Sequence, residues 1–364
     1  MKFKIDKSVI NQGIYIAQKA VSNRTPDPLL EGIYMKCEEG KITLFSTDNV
    51  MSIITQMDGE IEEDGEIVVG SRLFGDIVRR LPDSKVSISV DKNVMNIKCE
   101  KSNFNLTVNN TNNFPEMPSI SGSQSFKLSC EDLKQAVRQT GFAVSLDEVR
   151  KTFTGILMDM RDDHVNFVAL DGFRMALKTV HKEVGVVDKA IIPQRTLTEL
   201  ARILGDEGDV SITTSLNAIL FEYENTKLYS TLFAGEFFRY EELVRDSHNL
   251  VVKVNRQNLQ NSIERASLLA KEDRANLVKL EIENGYIMVS SNSELGDVKD
   301  EVFCEMEGRD IKIAFNSKYL VEGLKIMDEE EVNLNFTDSV NPLIIRPVDK
   351  DDYLYLVLPV RLAG

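Results

Sequence analysis

Apolar residues recur at helical spacing across residues 193–204. Leu197, Leu200, Ala201 and Leu204 fall on one side at roughly 100° per residue, and Arg195 and Arg202 lie nearly opposite, with Glu199 between them. The same arrangement stands 123 residues earlier, with Phe74, Ile77, Val78 and Leu81 inside and Arg72, Asp76 and Arg79 outside. It returns 123 residues later, with Leu320, Gly323, Leu324 and Met327 against Lys318, Glu322 and Lys325. Three helices with one core face and one basic–acidic–basic face at a constant interval make the chain a triple repeat.

Each repeat opens with a short alternating strand and then a helix. The strands are residues 3–6, 126–129 and 252–255, and Asp6, Ser129 and Asn255 are the expected N-caps. The helices that follow carry Ile10, Ile14, Ala17 and Val21, then Leu133 and Val137, then Leu259, Ile263, Ala266 and Ala270 as core positions. Strand pairs come next: 32–37 with 41–47 around Glu39-Gly40, 155–160 with 164–170, and 278–283 with 286–291 around Asn284-Gly285. The last of these is a strong hairpin signal. Beyond the second helices lie further strands at 86–90 with 94–99, 209–214 with 218–223, and 331–336 with 342–347. Strands outnumber helices, so the expected fold is α+β: three tandem repeats, each an antiparallel sheet with two helices on one face. The polar stretch 109–125 and the charged stretch 236–249 mark the joints, giving domains 1–122, 123–248 and 249–364.

Composition narrows the function. The chain has 364 residues, 42% apolar and 28% charged, and about 120 per repeat is an ordinary domain size. No apolar run approaches the ~20 residues of a bilayer span, and the N-terminus has no signal-peptide core. Cys37, Cys99, Cys130 and Cys304 form no CxxC pair and read as reduced, packed thiols. A net charge of −15 argues against a polyanion partner, but a total hides distribution. The six helical windows carry 14 Lys and Arg against 6 Asp and Glu, so positive charge is sorted onto the helices.

Chemistry is sparse. The three histidines have no metal-binding spacing, and no P-loop, GxGxxG or GxSxG occurs. Asp162-Asp163, Glu329–Glu331 and Asp349–Asp352 read as solvated acidic turns. Nothing nominates a nucleophile with a base in reach, so no catalytic residue, metal or cofactor is expected. The basic faces admit two readings. Arg195–Glu199 and Glu199–Arg202 could be helix-surface ion pairs worth a few tenths of a kcal/mol. Alternatively, the sorted charge suits loose, sequence-blind phosphate contact, and the sorting favours this second reading.

Three segments carry a resemblance: RTPDPLL at 24–30, ALDGFRMAL at 169–177 and YLVLPVRL at 355–362. In that order, on that repeat, the chain resembles the bacterial replicative sliding clamps, the beta subunits of DNA polymerase III, over its whole length. The resemblance implies a non-enzymatic processivity factor: a head-to-tail homodimer closed into a ring, helices lining a hole around duplex DNA of any sequence, sheets outside. It implies as partners the DNA polymerase III catalytic subunit, the clamp loader and other proteins carrying the clamp motif, with no membrane and a cytoplasmic, nucleoid-associated location. Phe104 and Leu106 would meet Leu268 and Leu269 across the dimer interface.

The family's partner site, as the resemblance implies it, is a peptide-binding cleft between domains 2 and 3 that receives Gln followed by hydrophobic residues. Carried over, it comprises Phe153, Leu170, Gly172, Phe173, Arg174, Met175, Leu243, Val340, Val357, Leu358, Pro359, Val360, Arg361 and Leu362. Relatives often have Thr for Leu170, His for Phe173, and Pro and Arg for Phe238 and Glu242, so the expected motif preference is this chain's own. Arg24 matches a DNA-contacting loop residue, and Arg72, Arg79, Lys134, Arg138, Arg195, Arg202, Lys318 and Lys325 are the expected lining. Asp147 replaces a neutral Gln, and that contact does not transfer. The rival readings are a peptide-binding structural adaptor without DNA encirclement and a three-repeat metabolic enzyme with a small-molecule pocket.

Overall fold

The computed structural model describes residues 1–22, 26–120, 124–244, 248–270 and 276–361. It contains the helices α1 (Lys7–Ala17), α2 (Ser71–Arg80), α3 (Cys130–Thr140), α4 (Gln194–Ile203), α5 (Arg256–Ala270) and α6 (Ser317–Ile326). The starts of α2, α4 and α6 keep the 123-residue interval. Their core faces are largely as the periodicity predicts. Phe74, Val78 and Leu81 are buried, as are Leu197, Leu200 and Leu204, and Leu320, Leu324 and Met327. Ile77 and Ala201 are only half-buried. Gly323 belongs on the core face for a steric reason: an added Cβ would sit 2.1 Å from a ring carbon of Tyr355.

The caps differ from expectation at one end. Asn255 accepts the Asn258 N–H at 3.0 Å and caps α5. Asp6 has the extended backbone of an N-cap, but its side chain makes no cap hydrogen bond. The Lys7 N–H at the first helical position donates to the Ser84 carbonyl at 3.2 Å.

The chain forms two compact units, Met1–Glu131 with Arg195–Leu232, and Asp132–Gln194 with Phe233–Gly364. In the first, a five-stranded sheet runs Glu60–Glu63, Lys2–Asp6, Lys85–Asp91, Val94–Cys99, Ser102–Thr107. Beside these strands α1 and α2 bury Ile10, Ile14, Ala17, Phe74 and Val78 in one core with Phe3, Leu44, Ile88 and Ile97. The same unit holds an eight-stranded sheet in the order Gln124–Ser129, Asp209–Thr214, Ala218–Tyr223, Thr226–Thr231, Met51–Asp58, Lys41–Thr47, Gly32–Glu38, Gly65–Gly70.

The second unit holds a twelve-stranded sheet. Its order is Asp188–Pro193, Gly155–Met160, His164–Leu170, Arg174–His181, Tyr353–Val357, Leu343–Pro347, Glu331–Phe336, Leu250–Asn255, Gly296–Gly308, Tyr286–Ser293, Leu277–Glu283, Ile311–Asn316.

The eight- and twelve-stranded sheets cross from one repeat to the next, which the expectation of one sheet per repeat did not include. Thr226–Thr231 pairs antiparallel with Met51–Asp58, where the Thr55 and Thr226 hydroxyls meet at 2.9 Å. Arg174–His181 pairs with Tyr353–Val357, where the buried Lys178 ammonium donates to Asp352. Asp352 is therefore not part of a merely solvated acidic turn. Edge strands carry unpaired N–H and C=O groups, and these seams satisfy them by joining repeats.

All four cysteines are free and buried, and burial pushes the Cys37 thiol up to about 12. Among the described residues, no helix is long and apolar enough to cross a membrane.

Candidate functional site

In the second unit, Asp171–Phe173 turns the chain between two strands. Asp171 Oδ1 accepts the N–H groups of Phe173 (2.9 Å) and Arg174 (3.0 Å). Gly172 sits at φ +94°, a conformation open to glycine because it lacks Cβ. The turn leaves Phe173 60% exposed while its neighbours Leu170 and Met175, paired across the hairpin, go inward. Around it lies an apolar cavity of about 240 Å³, lined by Arg150, Phe153, Leu170, Gly172, Phe173, Arg174, Met175, Phe238, Leu243, Leu356 and Leu358. Its apolar floor is continuous with a buried cluster that includes Leu157, Val168, Ile191 and Leu354. A wider cavity of about 540 Å³ shares Arg150, Phe153, Gly172, Phe173 and Arg174 and runs on to Leu146, Val149 and Tyr319.

Eight of the expected cleft residues thus come together: Phe153, Leu170, Gly172, Phe173, Arg174, Met175, Leu243 and Leu358. Val357 does not. Successive strand residues face opposite sides, so Leu356 and Leu358 line the cavity while Val357 is fully buried on the other side. Val340, 66% exposed on a turn held by Asp338, lines neither cavity. Pro359, Val360 and Arg361 also fall outside both linings. The chain leaves the sheet at Leu358, whose N–H reaches the Phe173 carbonyl at 2.9 Å, and Val360 N–H then donates to Ala314 at 2.8 Å. Leu362 lies outside the described residues. Arg150 and Leu356 line the cavity without having been expected there; alternation with Leu358 would have found Leu356, whereas no periodic signal marks Arg150. Phe238, expected as a departure at one end of the groove, is also part of the lining.

Arg174 lines the cleft but faces inward. It is 8% exposed and donates to Asp171 (3.0 Å), the Phe142 carbonyl (3.0 Å) and Glu322. Burial works against its charge, but Tyr355 and Glu322 outweigh burial, and its pKa stands above the ordinary value. The opposite wall is pinned by Tyr240, 2% exposed. Its hydroxyl donates to Asp159 at 2.8 Å and accepts from Asn166 at 3.0 Å. Burial, with Asp159 adding to it, raises the Tyr240 pKa, so the phenol remains a donor. This fixes the short helix Tyr240–Glu242 just before Leu243.

The basic faces are more neutralised than expected. Arg79 pairs with Asp76 at 3.1 Å and Arg202 with Glu199 at 2.6 Å. Arg195 turns away from Glu199 to Asp48, because that loop carboxylate comes within reach in the fold. Arg138 meets Asp328, Lys325 meets Glu264 at 3.0 Å, and Lys318 is 3.9 Å from Glu322. Arg72 is exposed and has no carboxylate partner among the described residues, and Lys134 is half-buried. Arg24 lies outside the described residues.

Of the expected interface residues, Phe104 is 39% and Leu268 68% exposed. Leu269 is half-buried, and Leu106 packs against the first core. Phe104 and Leu106 stand on Ser102–Thr107, the last strand of its sheet. The first part of Gly296–Gly308 is a second open edge, because, among the described residues, 296–303 pair only with Tyr286–Ser293.

The DNA polymerase III beta subunit families match consecutive parts of the chain: the N-terminal domain at residues 1–118, the central domain at 127–238 and the C-terminal domain at 243–361. The chain belongs to the DNA polymerase III beta subunit family. The beta sliding clamp of Staphylococcus epidermidis is 34% identical over 374 aligned positions covering 99% of both chains. The crystal structure of the DNA polymerase sliding clamp from Bacillus subtilis superposes with a TM-score of 0.95 at 31% identity, covering 100% of both. That of the Pseudomonas aeruginosa sliding clamp bound to griselimycin gives 0.95 at 26% identity over 100% of both. The chain is accordingly a DNA sliding clamp, the non-catalytic processivity subunit of the replicative polymerase, and the family works as a homodimer on DNA with that polymerase.

Proposed function

We propose that the apolar cavity around Phe153, Leu170, Met175, Leu243, Leu356 and Leu358 is the docking cleft for polymerase, loader and other partner proteins. The observation that carries the reading is the convergence of separate chain segments on one apolar hollow with few polar groups, the usual make-up of a peptide groove. The Pseudomonas aeruginosa relative is bound to griselimycin, so a clamp of this fold takes a ligand. The chain divides into domains 1–122, 123–248 and 249–364, and the second helix of each contributes a basic face to the ring's lining, with Arg72 its freest cation. Two copies close by apposing the open edges, with Phe104 and Leu106 of one against Leu268 and Leu269 of the other. Encirclement rather than tight contact then holds the DNA, which suits cations already engaged by carboxylates, and it places the protein in the cytoplasm with the nucleoid.

Removing residues 358–364 tests the cleft: polymerase binding should vanish while the dimer mass is kept, and full affinity would overturn the assignment. Encirclement is tested by loading the protein onto nicked circular DNA, washing in high salt and linearising. A ring stays on the circle and runs off the ends, whereas an adaptor that binds peptides alone is never retained.

A further inference from the structure

We propose that Glu322 is a positioning residue for the docking cleft, acting through Arg174 on the Phe173 rim although it lines no part of the cleft. The inference rests on the cleft reading above. Glu322 lies on α6 within the repeated basic–acidic–basic pattern, and its cavity is a separate one shared with Glu264, Lys318 and Lys325. The acidic residues of that pattern do different jobs in the fold. Asp76 pairs with Arg79, and Glu199 pairs with Arg202, each one turn away on its own helix. Glu322 is only 3.9 Å from the exposed Lys318, a kind of pair that contributes little. Its short contact runs inward, to Arg174 Nη1.

From Arg174 the contacts lead to the rim by two routes. Nε donates to Asp171 Oδ2 at 3.0 Å, and the other oxygen of Asp171 holds the Phe173 and Arg174 N–H groups. The guanidinium also lies 4.7 Å from the centre of the Tyr319 ring, on which Phe173 stacks at 6.2 Å and 19°. A buried cation that loses one partner is left undercompensated. Arg174 lines the cleft cavity, so the nearest relief is movement into it, and that movement loosens the Asp171 turn and the Phe173–Tyr319 stack together.

The probe is a fluorescent peptide of Gln followed by hydrophobic residues, titrated by anisotropy against the full-length protein. Glu322→Ala should weaken binding about tenfold, and Glu322→Gln, which keeps an acceptor for Nη1, should recover most of the loss. Adding Glu322→Ala to Phe173→Ala should cost little more than Phe173→Ala alone, because coupled residues are not additive. A general structural defect would instead lower Tm and add fully to Phe173→Ala. Unchanged affinity in Glu322→Ala, or full additivity in the double variant, overturns the proposal. If the alanine variant does not fold, Glu322→Asp, which withdraws the carboxylate by one methylene, gives the same reading. Wild type that fails to bind the peptide sinks the cleft reading and this inference together; wild type that binds while Glu322→Ala binds equally sinks this inference alone.

Discussion

The cleft and the basic helix faces are built from opposite materials. The cleft is an apolar hollow in which the buried Arg174 is turned inward and engaged by Asp171, while the exposed Arg150 lies at its edge over the Phe153 ring. The basic faces are cations on exposed helix surface, and most of them share carboxylates: Asp48 for Arg195, Asp328 for Arg138, Glu264 for Lys325. A site that must recognise a partner keeps open surface that only burial can satisfy. On the reading proposed above the basic faces let DNA pass, and charges whose grip is already weakened suit that role, because strong phosphate contacts would slow movement and raise salt sensitivity. The two should therefore respond to different insults.

The largest separation is expected from Phe153→Asp, which sets a carboxylate in the apolar cavity. Partner-peptide affinity should fall about 100-fold, the scale of an interface hot spot, with retention on circular DNA unchanged. Loss of both in parallel would mean that the regions are one functional surface. On the other side, Arg72→Glu with Arg79→Glu should lower the affinity for linear duplex about tenfold at low salt and flatten its salt dependence, leaving peptide titrations as in wild type.

Smaller effects sharpen the account of the paired cations. Asp48→Asn keeps Oδ1, which accepts the Val50 and Met51 N–H groups at 2.9 and 2.7 Å, but weakens the pairing with Arg195. Stability should change by less than about 1 kcal/mol, since the Arg195 end of the pair is half exposed and screened while Asp48 keeps its backbone bonds, and low-salt DNA affinity should rise about twofold. Denaturation melts and filter binding read the two effects. A last control lies outside both regions. Lys279 and Lys312, each 2.7 Å from Glu281, bring its carboxyl down from 4.5 to about 2. A depressed folded-state pKa means stability present above the unfolded value and lost as pH falls towards the folded one. Glu281→Gln should flatten the acid melting profile between pH 4.5 and about 2, with peptide and DNA binding at neutral pH untouched.

Sequence legibility followed the range of the interactions. The 123-residue recurrence of α2, α4 and α6 was readable because helical periodicity is a property of neighbouring residues. The Asn284-Gly285 hairpin was readable because a tight turn needs positive φ, and these residues adopt 52° and 81°. The cleft was half legible. Its hairpin residues sit in one short motif, but the resemblance gives residues 357–362 as an unbroken run, whereas alternation along the last strand brings Leu356 and Leu358 to the cavity and leaves Val357 outside its lining. Arg150 and Phe238 come from irregular segments with no pattern to read. The carboxylate partners were hidden altogether: Asp48 is 147 positions from Arg195, and Asp328 is 190 from Arg138.

By itself, then, the sequence determined the repeat, the core stripe of each helix and the concentration of positive charge on helices, because each follows from local backbone preference and side-chain period. Only the tertiary structure decided which repeat's strand completes which sheet, which face of Tyr353–Val357 meets the cavity, and which acid quiets each base. Those outcomes depend on backbone edges and buried surfaces contributed from distant parts of the chain, and no local pattern encodes where they meet.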